Sequence, residues 1–129
     1  MSNVVLKGFM SPEISFVNRL ENGTRIELGN KYSYNVSYGN NNTCRGQFSI
    51  EVADKANPDK FKIKTVVIGM FEIKNDIPKE KIHVETYKEL FPYVRALIST
   101  VTTNTGIPPV IIPAIDIEGQ SIYKFEKNN

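Results

Sequence analysis

Residues 90 to 106, LFPYVRALISTVTTNTG, set the reading of the whole chain. Val94, Leu97, Ile98 and Val101 recur at the three- and four-residue spacing of one helix face, and Gly106 supplies a stop. Pro92 stands at the head of this run. In a helix interior a proline costs about 3 kcal/mol, through a lost backbone donor and a clash with the preceding turn. In the first turn the amide has no intrahelical partner to lose, and the fixed φ suits the helix. The spacing therefore predicts a helix over 91–105 with Pro92 in its first turn.

Upstream, the periodicity changes from that of a helix to that of strands. YSYNVSY (32–38) puts Tyr32, Tyr34, Val36 and Tyr38 on one face and Ser33, Asn35 and Ser37 on the other. GQFSIEVAD (46–54) aligns Phe48, Ile50 and Val52. FKIKTVVIGMFEIK (61–74) alternates at first and then becomes apolar on both faces at Val66 to Ile68, the pattern of a strand covered on both sides. VVLKGF (4–9) and ISFV (14–17) read as pieces of a first strand interrupted at Ser11 and Pro12, and the polar stretch NRLENGTRIELGNK (18–31) follows as a loop. GNNNT (39–43) and ANPD (56–59) are turns. Short turns between four strands predict an antiparallel meander. Downstream, IPPVIIPAIDI (107–117) holds three prolines in eleven residues, which excludes regular helix. The expected fold is α+β: a four-stranded antiparallel sheet, one long helix packed on it, and a short C-terminal helical or irregular tail.

Composition narrows the function classes. A chain of 129 residues with 40% apolar content fits one domain, 1–129, with a modest core. Its 16 basic and 14 acidic residues leave a net charge of +2, too little to steer it to nucleic acid or an anionic membrane. The N-terminus lacks the pattern of a signal peptide, and no apolar run approaches the ~18 residues of a membrane span. A lone cysteine, Cys44, excludes an intramolecular disulfide, so a reducing, cytoplasmic setting is expected.

Chemistry is sparse. His83 is the single histidine and has no second histidine or cysteine nearby to make a metal site, so it reads as a surface or capping residue. Cys44 has no identifiable base to activate it. The glycines are scattered rather than gathered into a phosphate-binding loop. Lys60, Lys62 and Lys64 share a strand face and read as a solvated surface balanced by Glu51 or Asp54. No catalytic residue, cofactor or metal is expected. The apolar surplus beyond one sheet face and one helix instead suggests oligomerisation or an open groove.

The second half of the chain resembles the protein-export chaperone family SecB. Gly69 and Phe71 match its Gly-x-Phe strand end, and Phe91, Pro92, Tyr93 and Arg95 match its Phe-Pro-Tyr-x-Arg helix start. Gly106, Pro108, Val110, Ile112 and Pro113 match its Gly-x-Pro-x-hydrophobic-x-hydrophobic-x-Pro segment. PEISF (12–16) and the two tyrosine- and phenylalanine-bearing strands match more loosely. The resemblance implies a homo-oligomer, dimer or tetramer, that binds unfolded or precursor polypeptides without nucleotide. It places Tyr32, Tyr34 and Val36 in a client-binding groove and the 18–31 loop on a crossover; the apolar side of the tail, Ile122, Tyr123 and Phe125, offers a facing wall, and the alternative is that the strand residues fill the core between sheet and helix. The apolar helix face of Val94, Leu97, Ile98 and Val101, beside a sheet with apolar surface still to bury, predicts the oligomer interface. The family carboxylates that contact the translocation motor SecA fall on Glu13, Val17 and Lys64, so motor contact would rest on Glu13 and Lys64. A chaperone dedicated to one client, such as an antitoxin, and a non-chaperone binding module are the alternatives.

Overall fold

The computed structural model describes residues 3–21 and 23–112, in which four strands, β1 (Val4–Asn18), β2 (Leu28–Tyr38), β3 (Thr43–Asp54) and β4 (Phe61–Ile73), precede one helix, α1 (Lys79–Asn104). The strands form one antiparallel sheet in the order β1-β4-β3-β2. The expected simple meander holds for β2, β3 and β4 only. β1 pairs with β4 instead of β2, which gives β4 two neighbours and makes the connection after β1 a crossover. The expected break in the first strand is also absent: β1 is continuous, with register shifts between Leu6 and Gly8 and between Met10 and Glu13. Pro12 falls in the second irregularity, where no ladder donor is required, and the Ser11 hydroxyl donates to the Val66 carbonyl at 2.7 Å.

The core lies between one sheet face and α1. Phe48, Ile50 and Val52 of β3 and Ile63, Val67 and Phe71 of β4 point into it, each almost fully buried, as the alternation predicts. Gly46 sits beneath the Tyr34 ring, where a Cβ would run into the tyrosine hydroxyl, so the close approach requires glycine. The opposite sheet face carries no helix among the described residues. Ile68, on that face, is nevertheless buried, flanked in register by Met10 of β1 and Gln47 of β3.

The helix corrects the reading of Pro92. It starts after Pro78, well upstream of 91, and runs unbroken through Pro92 to Asn104. Ile82, Thr86, Leu90, Val94, Ile98 and Thr102 form a buried stripe at four-residue spacing against the sheet. Burial of that stripe outweighs the local cost of about 3 kcal/mol for an interior proline. Pro92 itself is exposed, so the turn it interrupts faces water. Thr86 concealed the upstream half of the helix from the sequence pattern. It fills an apolar position with a hydroxyl that donates to the Ile82 carbonyl at 2.8 Å. Gly106, with φ of 91°, ends the helix as predicted.

Candidate functional site

The crossover between β1 and β2 is polar by composition, yet it carries Leu20 and Ile26, with Leu28 just after. Backbone bonds pin both its ends: the Arg19 amide donates to the Lys60 carbonyl at 2.6 Å and the Lys55 amide to the Glu27 carbonyl at 2.8 Å. Across from it lies the segment after α1. Its path is fixed by the Ser99 hydroxyl, which donates to the Val110 carbonyl at 2.9 Å, and by the Val110 amide, which donates to Thr102 Oγ1 at 2.9 Å. Val110 and Ile112 turn inward, whereas Ile111 is 65% exposed.

Between crossover and post-helix segment runs an open recess of about 450 Å³, with Leu20, Ile26, Leu28, Phe61, Ile107 and Val110 among its lining. Phe61 is part of this lining and is braced edge-on by Phe16, with ring centroids 5.4 Å apart. An extended chain laid in such a trough could bury apolar side chains and still reach backbone groups at the walls. Sequence reasoning missed Leu20, Ile26, Phe61 and Ile107 as a set, although three apolar residues inside an otherwise polar 18–31 stretch were the available signal.

The tyrosine strand plays a different part. Tyr34 is only 2% exposed, which removes it from any open groove. Its ring packs with Phe48 and Tyr87 beneath α1, and its hydroxyl donates to Thr86 Oγ1 at 2.6 Å. Desolvation by burial pushes the hydroxyl well above the ordinary tyrosine range. Tyr32 and Val36 share that face but are half-buried at the margin of the core. Ile122, Tyr123 and Phe125 lie outside the described residues. On α1, Val94 and Ile98 are fully buried against the protomer's own sheet and have no surface left for a partner. Leu97 and Val101 are only partly covered and continue the line of Tyr93, which is 46% exposed and packs on Phe9 with ring centroids 4.6 Å apart and the rings tilted by 35°.

Glu13, Val17 and Lys64 come together on the helix-free sheet face. Glu13 and Lys64 form an ion pair at 3.5 Å, and Lys62 reaches Glu51 at 4.0 Å. His83 is half-buried, its ring edge-on to Tyr34 at 5.0 Å. Cys44 is buried, and desolvation raises its thiol pKa. Among the described residues no group of three or more histidines, cysteines or acids could hold a metal, and no helix is long and apolar enough to cross a membrane.

The family profile described as Preprotein translocase subunit SecB matches residues 21–129. The chain belongs to the SecB family. An uncharacterized protein from Methanocaldococcus jannaschii is 32% identical over 77% of this chain and 68% of its own length. The protein-export protein SecB of Bradyrhizobium diazoefficiens is 28% identical over 71% of this chain and 62% of its own length, so the match spans less than two thirds of that SecB. A solved SecB-like chaperone from Mycobacterium tuberculosis, in complex with an antitoxin peptide, shares the fold with a TM-score of 0.70. Its sequence identity is 11%, with 88% of this chain and 91% of that chain covered.

Proposed function

We propose that this SecB-family chain is an ATP-independent holdase that binds unfolded or nascent polypeptides and keeps them competent for export or folding. The observation that carries the reading is the open apolar trough between crossover and post-helix segment. Its lining combines aliphatic side chains and prolines with the polar Asn18, Glu21 and Thr24, which suits extended clients of varied sequence better than one rigid ligand. Cytoplasmic residence accords with such a role. The partly covered stripe of Tyr93, Leu97 and Val101, beside an exposed Phe9, supports assembly into a dimer or tetramer, because single-copy burial leaves this apolar flank open. Several troughs on one oligomer would hold a client by multiple weak contacts.

Dilution of a chemically denatured test protein with and without this chain, in the absence of nucleotide, tests the proposal by light scattering. Suppression of scattering for several unrelated clients supports a general holdase. Protection of one client only supports the second reading, a dedicated chaperone, which the antitoxin peptide on the structural relative makes specific. Unchanged scattering for all, together with tight binding of a single folded protein, would point to a scaffold module.

A further inference from the structure

The crossover has a second side. Behind the wall formed by Leu20, Glu21, Thr24 and Ile26 lies another recess, of about 430 Å³, whose lining includes Arg19, Arg25, Lys55 and Lys60. Of its three acids only Glu27 is in an ion pair among the described residues, and the four cations leave the lining net positive by one. Glu27 pairs with Lys55 at 3.2 Å, and the buried Asp54 carboxylate accepts the Ala56 amide at 3.1 Å within a turn. Arg19 and Lys60 are held side by side through their backbones, and Arg25 precedes Ile26 on the shared wall. Among the described residues Arg19, Arg25 and Lys60 form no ion pair, and the only other acid on the wall is the exposed Glu21.

We propose that this cationic cleft gives the trough a preference for apolar client segments flanked by acidic side chains. The inference rests on the holdase reading and names the client chemistry that the same site selects. A segment lying in the trough is separated from the three cations by the crossover wall, on which Leu20, Glu21, Thr24 and Ile26 line both recesses. A carboxylate on the flank finds three unpaired cations there against the single free acid Glu21, whereas a lysine meets a net excess of like charge. Each such contact at a wetted surface is weak, and its reach is a Debye length of about 8 Å at physiological salt. Selection is therefore a matter of several-fold per flank and is salt-sensitive.

The test uses the full-length chain and three fluorescent peptides with one apolar, aromatic-rich centre and flanks of two glutamates, two lysines or two serines. Anisotropy at about 50 mM salt should show the glutamate peptide binding roughly fivefold or more tighter than the lysine peptide, with the ratio collapsing at about 0.5 M salt. In the R19S/R25S/K60S variant, checked for fold by circular dichroism, the ratio should fall to near one. Equal binding of all three peptides, or tighter binding of the lysine peptide, overturns the preference while leaving the holdase reading intact. Failure of even the serine peptide to bind overturns both. A single-stranded oligonucleotide that binds more tightly than the glutamate peptide overturns the assignment of the cleft to polypeptide flanks.

Discussion

Tyr34 on β2 donates its hydroxyl to Thr86 on α1 across 2.6 Å, in the buried layer between sheet and helix. This bond joins the edge strand to the half of the helix upstream of Pro92. It satisfies the Tyr34 hydroxyl, which would otherwise be stranded in an apolar layer, while Thr86 still donates to the Ile82 carbonyl, and so fixes the sliding position of α1 over the sheet. Nearby, Tyr87 is equally buried, but its hydroxyl has no hydrogen-bond partner among the described residues.

That contrast yields a pH prediction. Desolvation holds Tyr34 and Tyr87 above their ordinary pKa of 10.0 in the folded state. An unfolded chain releases these protons near pH 10, while the folded chain keeps them. The stabilising contribution is therefore complete below about pH 10 and is lost progressively above it. Tyr87→Phe should cost less than about 1 kcal/mol at neutral pH, because no hydrogen bond is broken. It should also flatten the alkaline fall in stability. Urea denaturation from pH 7 to about pH 11 measures both, and a steeper alkaline fall in the variant would contradict the assignment.

A second expectation concerns assembly. Leu97→Arg or Val101→Arg places a charge on the partly covered flank of α1 and should split the oligomer into folded monomers, since an unpaired charge at an apolar contact is strongly unfavourable. Val94→Arg and Ile98→Arg should instead unfold the protomer, because both positions are sealed against its own sheet. Sedimentation velocity with circular dichroism separates the two outcomes. A wild-type chain that is monomeric at micromolar concentration would remove the basis for this expectation.

Docking to a SecA of the proteobacterial type should be weak. Of the three positions that the family resemblance sets against motor-contacting carboxylates, Glu13 is paired with Lys64 at 3.5 Å, and Val17 carries no charge. The pair is solvent-exposed and contributes at most about 1 kcal/mol to folding, so its main effect is on the sign of the surface. Lys64→Glu should strengthen binding to such a SecA and make it more salt-sensitive, with little change in Tm. Tight binding by the unmodified chain in calorimetry would show that another surface carries the contact.

The sheet strands were legible because their alternation is local and strict. Phe48, Ile50 and Val52 announce their face in the sequence and occupy it in the fold. The upstream half of α1 was hidden for a different reason. Thr86 and Tyr87 are polar by type and buried by context, so the apolar period fails where the packing does not. Pro92 then looked like a beginning, since its local cost is visible in the sequence and the burial that offsets it is not. The pairing of β1 with β4 is a long-range choice that no short window reports. The trough was obscured in the same way, because Leu20 and Ile26 acquire meaning only when residues 107–111 are folded opposite them.

The last prediction separates trough from core. Ile111 is 65% exposed and Leu28 36% exposed at the rim of the trough. Replacing each with serine removes apolar contact area that already faces water, so stability should change by no more than about 0.5 kcal/mol per site. Tyr34→Ser, by contrast, empties a core position and should cost about 3–5 kcal/mol, as other aromatic truncations do. L28S/I111S should therefore keep the wild-type circular dichroism spectrum and oligomeric state while losing most suppression of client aggregation. Y34S should lose folding and client protection together. Were L28S/I111S to hold clients as well as the parent, the trough would not be the client site, and the half-buried margin at Tyr32 and Val36 would be the surface left to test.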